Sequence, residues 1–298
     1  MNTKFIPTVT IVMPTYNHAN FLGKALQSLI DQTYKEWEVV IIDNHSTDST
    51  DEVIKKFNDP RIRNYKITNH GILAKSRNLG IKVSRGNWIA FLDSDDWWTV
   101  DKLEVCFKEM NDNVDLIYHN LQVIYQSKLT SKKIYKGRKL NNPVLNDLLI
   151  SGIKYGNAIA QSSVIVRKSL LLKIGGIDEN INLVGSEDYN TWLRIAEITD
   201  QFKYLNKNLG YILVHENNVS NKDMSTPQRQ AVLKYMKLFN HKQKINLEVK
   251  FNYISGSYKF LNNDINAKDN LIYVMKYGEI ILKIKSLIKF IILIFKKR

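Results

Sequence analysis

The sequence predicts an α/β fold: a mostly parallel sheet flanked by helices, with a helical C-terminal extension. Three observations predict it. Through the first hundred residues, short β-branched apolar runs alternate with longer stretches of helical period, the pattern of repeated strand-and-helix units. Three of these runs end in unusual polar clusters, at the position where open α/β sheets hold their ligands. From about Thr226 the strand signals stop and only helical spacing remains.

The first strand is expected over Thr8 to Met13, and Phe21, Leu22, Ala25, Leu26, Leu29 and Ile30 then recur at the spacing of one helix face. A second strand over Glu38 to Ile42 precedes a helix carrying Val53, Ile54 and Phe57. A third over Ile62 to Lys66 precedes one carrying Ile72, Leu79 and Val83, and Trp88 to Leu92 forms the fourth strand. Further on, strand-like runs span Leu116 to Tyr125, Ser163 to Arg167 and Tyr211 to Val214, with a helix starting near Glu187. Lys128 to Lys139 is lysine-rich and is expected to be a mobile loop. These signals divide the chain into a domain over 1–225, with halves of about 1–112 and 113–225, and a helical region over 226–298.

With 298 residues, 44% of them hydrophobic, the chain can fill a sizeable core, so disorder is not expected. There are 43 basic against 29 acidic residues, and the formal charge of +14 suggests a polyanionic partner: nucleic acid, an anionic membrane face or a phosphorylated substrate. The charge is concentrated at the end. From Leu271 to Arg298 seven basic residues face one acid, Glu279, a net +6. Apolar clusters and lysines alternate there at helical intervals, as in a helix lying in the headgroup region of an anionic membrane. That placement argues against nucleic acid, which would need an aromatic-interleaved basic groove in the main domain. A single cysteine, Cys106, excludes an internal disulfide and fits a reducing compartment. No secretion signal is visible and no apolar stretch is long enough to span a bilayer, so a cytoplasmic, membrane-peripheral site is expected.

Three polar clusters follow the strands: Pro14-Thr15-Tyr16-Asn17, Asp43-Asn44-His45-Ser46 and Asp93-Ser94-Asp95-Asp96. Converging loops would bring them to one crevice. In the last cluster three carboxylates within four residues repel one another unless a cation or hydrogen bonds compensate, and oxygen ligands favour Mg²⁺ or Mn²⁺.

WIAFLDSDDWW resembles the DXD region of the inverting GT-A glycosyltransferases of family two, and other features of that family occur in order. IVMPTYNHANFLGKALQSLIDQTYKEWEVVIIDNHSTDST is similar to its nucleotide-binding half, AKSRNLGI to its Arg-Asn segment, and GGIDENINLVGSEDYNTWLRI to its acceptor-side region. The resemblance covers about residues 8 to 220.

It implies a GT-A fold and a nucleotide site formed by Pro14, Tyr16, Asn17, Asp43, Asn44, Arg77, Asp93 and Ser94. Tyr16 would border the base, Asp43-Asn44 would contact base and ribose, and Arg77 would meet the nucleotide. Asp93 would hold ribose or metal-bound water. Asp95 would ligate a divalent cation, Mn²⁺ or Mg²⁺, with Asp93 and His215 as the further metal-side candidates. Many relatives carry aspartate where this chain has Asn44. An amide oxygen can still accept the uracil imide N–H, so uridine remains the expected base. Asp188 matches the catalytic base, with Glu187 as its neighbour, and Trp97 and Trp98 are candidates for a wall of the sugar site.

The resemblance thus implies inverting transfer of a sugar from a UDP-sugar, glucose with a β-linkage as the best match, to a lipid-diphosphate-linked saccharide in O-antigen or capsule synthesis. Another surface polymer, such as teichoic acid, is the alternative acceptor. Nucleic-acid binding is the non-enzymatic alternative.

Overall fold

The computed structural model describes residues 7–127 and 133–295. It opens with β1 (Val9–Thr15), α1 (Ala19–Ile30), β2 (Trp37–Asp43), α2 (Thr50–Lys56), β3 (Ile62–Lys66), α3 (Leu73–Val83) and β4 (Trp88–Phe91). Every residue of β1, β2 and β4 is buried, as expected for apolar runs in a sheet covered on both faces. α1 buries Leu22, Ala25, Leu26 and Leu29, the stripe read from its spacing. α3 lies so close to the sheet that a Cβ at Gly80 would collide with Val12.

The four strands are parallel in the order β3-β2-β1-β4. The chain runs outward from β1 to β3, then crosses back to pair β4 on the other side of β1. The carboxyl ends of β1 and β4 therefore flank a topological switch point, where α/β sheets bind ligands.

The next elements are β5 (Trp97–Trp98), α4 (Lys102–Phe107), β6 (Leu116–Tyr125), β7 (Ile134–Tyr135), α5 (Val144–Tyr155), β8 (Ile165–Arg167), α6 (Lys168–Lys173), α7 (Glu187–Ala196) and β9 (Phe202–Val214). They extend the sheet as β4-β8-β6-β9-β5, with β7 beside β6. β8 is antiparallel to β4 and β6, while β6 and β9 run parallel. The sheet is thus parallel in its first half and mixed beyond it.

Three expectations shift. Residues 161–163 form a 3₁₀ turn and the strand there begins only at Ile165. β9 begins at Phe202, well before Tyr211. The lysine-rich stretch expected to be a loop lies outside the described residues over 128–132, and beyond them it contributes β7.

The chain divides into two compact units. The first holds the sheet and comprises residues up to 148, 157–179 and 191–215. The second comprises residues 149–156, 180–190 and 216–298. It contains α8 (Ser225–Val232), α9 (His241–Leu261), α10 (Ala267–Tyr277) and α11 (Ile280–Phe295). α9 starts at a capping box in which Asn240 and Gln243 satisfy each other's backbone N–H groups. Among the described residues, no helix is long and apolar enough to cross a membrane.

One core residue in the first unit is costly. Lys102, at the start of α4, is fully buried, and its Nζ lies 3.4 Å from the centroid of the Trp98 ring with no hydrogen-bond partner. Burial pushes its pKa down to about 7. Because the folded state holds this proton less tightly than the unfolded chain, protonation favours unfolding. The cost is absent above the ordinary lysine pKa, grows as pH falls towards 7 and is constant below that. Full conversion would give about 4–5 kcal/mol near neutrality, and the Trp98 ring offsets part of it. Lys102→Met should therefore stabilise the fold by about 2–3 kcal/mol at pH 7 and by clearly less at pH 9.5, measured by urea unfolding. A gain that is absent, or that does not shrink with rising pH, would contradict this account.

Candidate functional site

The loops after β1 and β2 are stitched together. Asn17, with φ of 51°, donates its N–H to Ser46 Oγ at 2.8 Å, and its Oδ1 accepts the Thr47 N–H at 2.8 Å. A positive φ suits asparagine better than most residues, which is why the chain can turn at this point. Ser46 donates its N–H and hydroxyl to Asp43 Oδ1, at 3.0 and 2.6 Å, and Lys66 Nζ lies 3.3 Å from Asp43 Oδ2. Asp43 is thus a buried anchor of the loop. Asn44 Oδ1 accepts the Asn69 N–H at 2.9 Å, which occupies one of its two lone pairs. Pro14 is buried, whereas Tyr16 stands 53% exposed beside them.

β4 delivers the acidic loop, where each residue takes a different partner. Asp93 Oδ1 accepts from the buried Arg77 guanidinium at 2.8 Å. Ser94 Oγ meets His18 Nδ1 at 2.8 Å. Asp95 Oδ2 lies 2.9 Å from His215 Nε2, at the end of β9. Asp96 is buried and accepts from the Ser162 hydroxyl at 2.6 Å and from the Leu213 N–H at 3.0 Å. Ser162 Oγ in turn accepts the Asp93 N–H at 3.2 Å. Asp96 therefore ties the acidic loop to the strand that carries His215.

Burial, then the neighbouring Asp93 carboxylate, raises the pKa of Asp95. Burial, then Asp95 and Asp93, pushes Asp96 well above the usual carboxylate range. These carboxylates crowd one another in a poorly solvated loop, the electrostatic state that a bound cation relieves.

His18, Asp95 and His215 bring ligand atoms within 4.8 Å of one another. Their donor set is one carboxylate oxygen and two imidazole nitrogens, which fits a divalent ion of the Mn²⁺ type better than Mg²⁺. The 2.9 Å between Asp95 Oδ2 and His215 Nε2 is also near the roughly 3 Å that separates adjacent ligands of an ion bound at about 2.1 Å. Phe21 stacks on the His215 ring at 4.8 Å and steadies it.

Asp95 and His215, both singled out in the sequence, thus come together. Asp93, the third metal-side candidate, is engaged by Arg77, and His18 stands where a third ligand is needed. Trp98 is buried, with Nε1 donating to Ser162 O at 2.8 Å. Trp97 stacks on Tyr211 and carries Lys24 Nζ 3.3 Å from its centroid, so both tryptophans pack.

In the second unit, Glu187 and Asp188 open α7. Glu187 is buried and its Oε2 accepts the N–H of Gly185 at 2.6 Å, closing a turn whose φ of 92° favours glycine. Asp188 is half-buried, and its Oδ1 accepts the N–H of Tyr189 at 2.6 Å.

Residues 10–171 match the family model described as glycosyl transferase family 2. An Escherichia coli relative, the UDP-Glc:alpha-D-GlcNAc-diphosphoundecaprenol beta-1,3-glucosyltransferase WfgD, is 30% identical over 192 residues, covering 63% of this chain and 70% of its own. Several other curated relatives are longer, and the chain spans 30% or less of those. Staphylococcus aureus TarS 1-349 in complex with UDP-GlcNAc superimposes with a TM-score of 0.61 at 21% identity, over 89% of this chain and 81% of that one. The mannosyltransferase PcManGT of Pyrobaculum calidifontis, in complex with GDP-Man and Mn²⁺, does so with a TM-score of 0.61 at 17% identity, over 93% and 77%.

Proposed function

Because the chain belongs to glycosyl transferase family 2 and has the GT-A type of fold, we propose that it is a metal-dependent inverting enzyme. It transfers glucose from UDP-glucose, in β-linkage, to a saccharide carried on a lipid diphosphate during O-antigen or capsule assembly. The observation that carries this is the meeting of Asp95, His215 and His18 beside the Arg77–Asp93 pair at the carboxyl ends of the strands. Such a constellation suits a nucleoside diphosphate: a cation site for its phosphates next to a buried guanidinium. The named activity of the E. coli relative supports glucose and the lipid-diphosphate acceptor.

In this proposal the residues divide the work. Tyr16 and Asn17 border the base with Pro14 buried behind them, and Asn44, on the turn that Asp43 anchors from within, meets base and ribose. Arg77, Asp93 and Ser94 hold the nucleotide on its phosphate side. Asp95 and His215, joined by His18, would hold Mn²⁺ or Mg²⁺, which supplies charge neutralisation at the diphosphate when bound. Asp188 takes the proton from the acceptor hydroxyl as that oxygen bonds to the anomeric carbon and the bond to the diphosphate breaks. Attack from the face opposite the leaving group inverts the configuration. Residues 1–225 form the catalytic domain and 226–298 a helical region that keeps the enzyme at the cytoplasmic face of an anionic membrane, where a lipid-borne acceptor resides.

UDP together with Mn²⁺ should raise the melting temperature by several degrees, because both bind only the folded chain. UDP-glucose should then transfer to N-acetylglucosaminyl-diphospho-lipid with a β-configured product. No shift with UDP at millimolar concentration would overturn the nucleotide assignment, and turnover of another donor in its place would overturn glucose alone.

A further inference from the structure

The last helix presents an apolar face that the protein itself does not cover. α11 buries only Ser286 and Leu293, the latter against Ala267 and Leu271 of α10. On the opposite side Ile280, Ile284, Leu287, Ile288, Ile291 and Phe295 recur at three- and four-residue spacing and stand 43–70% exposed. Soluble surfaces rarely expose a contiguous apolar stripe of this length without a partner.

The charges say what that partner is. At 100° per residue, Lys283 and Lys285 fall on the two opposite edges of the stripe. Lys289 lies behind them, reaching Tyr253 and Ser257 of α9. α11 contains three lysines and no acid. An aliphatic ridge between two cationic edges, backed by the helix's own domain, matches a helix lying in the plane of a bilayer: the ridge meets acyl chains and the lysines reach phosphate headgroups. Over its sixteen described residues α11 is about 24 Å long, shorter than the hydrocarbon core. A second copy of the chain fits less well, because a twofold pairing of these ridges would bring the lysine edges of both helices together without compensating acid.

We infer that α11 is an in-plane membrane anchor, docking the second unit on an anionic lipid surface through its Ile280–Phe295 ridge. This deepens the membrane placement proposed above, while the docking itself depends on neither donor nor acceptor.

The test is flotation of the full chain with vesicles of phosphatidylcholine alone or with phosphatidylglycerol, in the absence of any sugar nucleotide. Deletion of the tail is a poor probe, since removing α11 uncovers the packed side of α10. Substitution at exposed positions avoids this, with folding checked by circular dichroism. Wild type should float with the anionic vesicles, and I284E/I291E should lower the bound fraction at least tenfold. K283E/K285E should lose the preference for phosphatidylglycerol. Transfer to a short soluble acceptor should stay unchanged in both variants, so loss of transfer everywhere would strike the enzymatic proposal and not this one. Failure of wild type to float, or flotation by I284E/I291E equal to wild type, overturns the anchor. A wild-type dimer in sedimentation that I284E/I291E dissociates, without lipid binding, would assign the ridge to self-association.

Discussion

Asp95→Ala is expected to reduce sugar transfer by roughly three orders of magnitude while leaving the melting temperature unchanged or slightly raised. Asp95 supplies the only carboxylate of the His18–Asp95–His215 group, so its loss leaves two imidazoles and no anionic ligand, which bind a divalent ion less strongly. The fold should not suffer. Burial and Asp93 already disfavour the charge on Asp95, and removing it relieves that repulsion, while Asp96 keeps the loop tied to Ser162 and Leu213. Binding of Mn²⁺, followed by the paramagnetic resonance of the free ion, should weaken in parallel with turnover. His18→Ala should weaken it less, because one carboxylate and one imidazole remain. A variant within tenfold of wild type, or wild-type activity that survives exhaustive chelation, would remove the metal from the proposed mechanism.

How much of this was legible in the sequence depended on whether the signal was local. Leu116 to Tyr125 was read to the residue, because its β-branched, aromatic and aliphatic residues stop at Asp115 on one side and at Gln126 on the other. β9 was read only from Tyr211, because its first half, FKYLNKN, alternates lysine and asparagine with apolar residues and lies partly exposed at the surface. The DXD loop was legible as three carboxylates that need compensation. Which carboxylate faces which partner was not.

Asp93 turns to Arg77 and Asp96 to Ser162, and these choices depend on strands distant in sequence that only the folded sheet brings together. His18 was legible as a residue of a nucleotide-side loop but not as a metal-side one. It follows PTYN at the carboxyl end of β1 and meets His215 through the order of strands, so its one sequence signal was a place in a ligand-side loop. The mixed second half of the sheet was similarly hidden, since β8 contributes three residues and carries no periodicity. The exposed ridge of α11, by contrast, was visible as an apolar tail interrupted by lysines. The structure adds which side of it is packed.

Asp188→Asn should lower the turnover number by about 10²–10⁴-fold with little change in the affinity for UDP-glucose. The substitution keeps the size of the side chain and an oxygen able to accept the Tyr189 N–H, so the start of α7 should hold. What it removes is basicity: an amide cannot take the proton that the acceptor hydroxyl must lose as it attacks. The loss belongs to the transition state and so appears in turnover rather than in donor binding.

Glu187 provides the internal comparison. Its carboxylate closes the turn at Gly185, where a glutamine oxygen can still accept the same N–H, so Glu187→Gln should cost less than tenfold in turnover. Both variants should be measured with saturating UDP-glucose and a soluble acceptor, and donor affinity should be obtained separately by calorimetry. If Glu187→Gln loses turnover and Asp188→Asn keeps it, the base is the neighbouring residue. If both retain turnover, the pair serves only as the acidic first turn of a helix, where carboxylates oppose the positive end of the dipole, and the proton goes elsewhere.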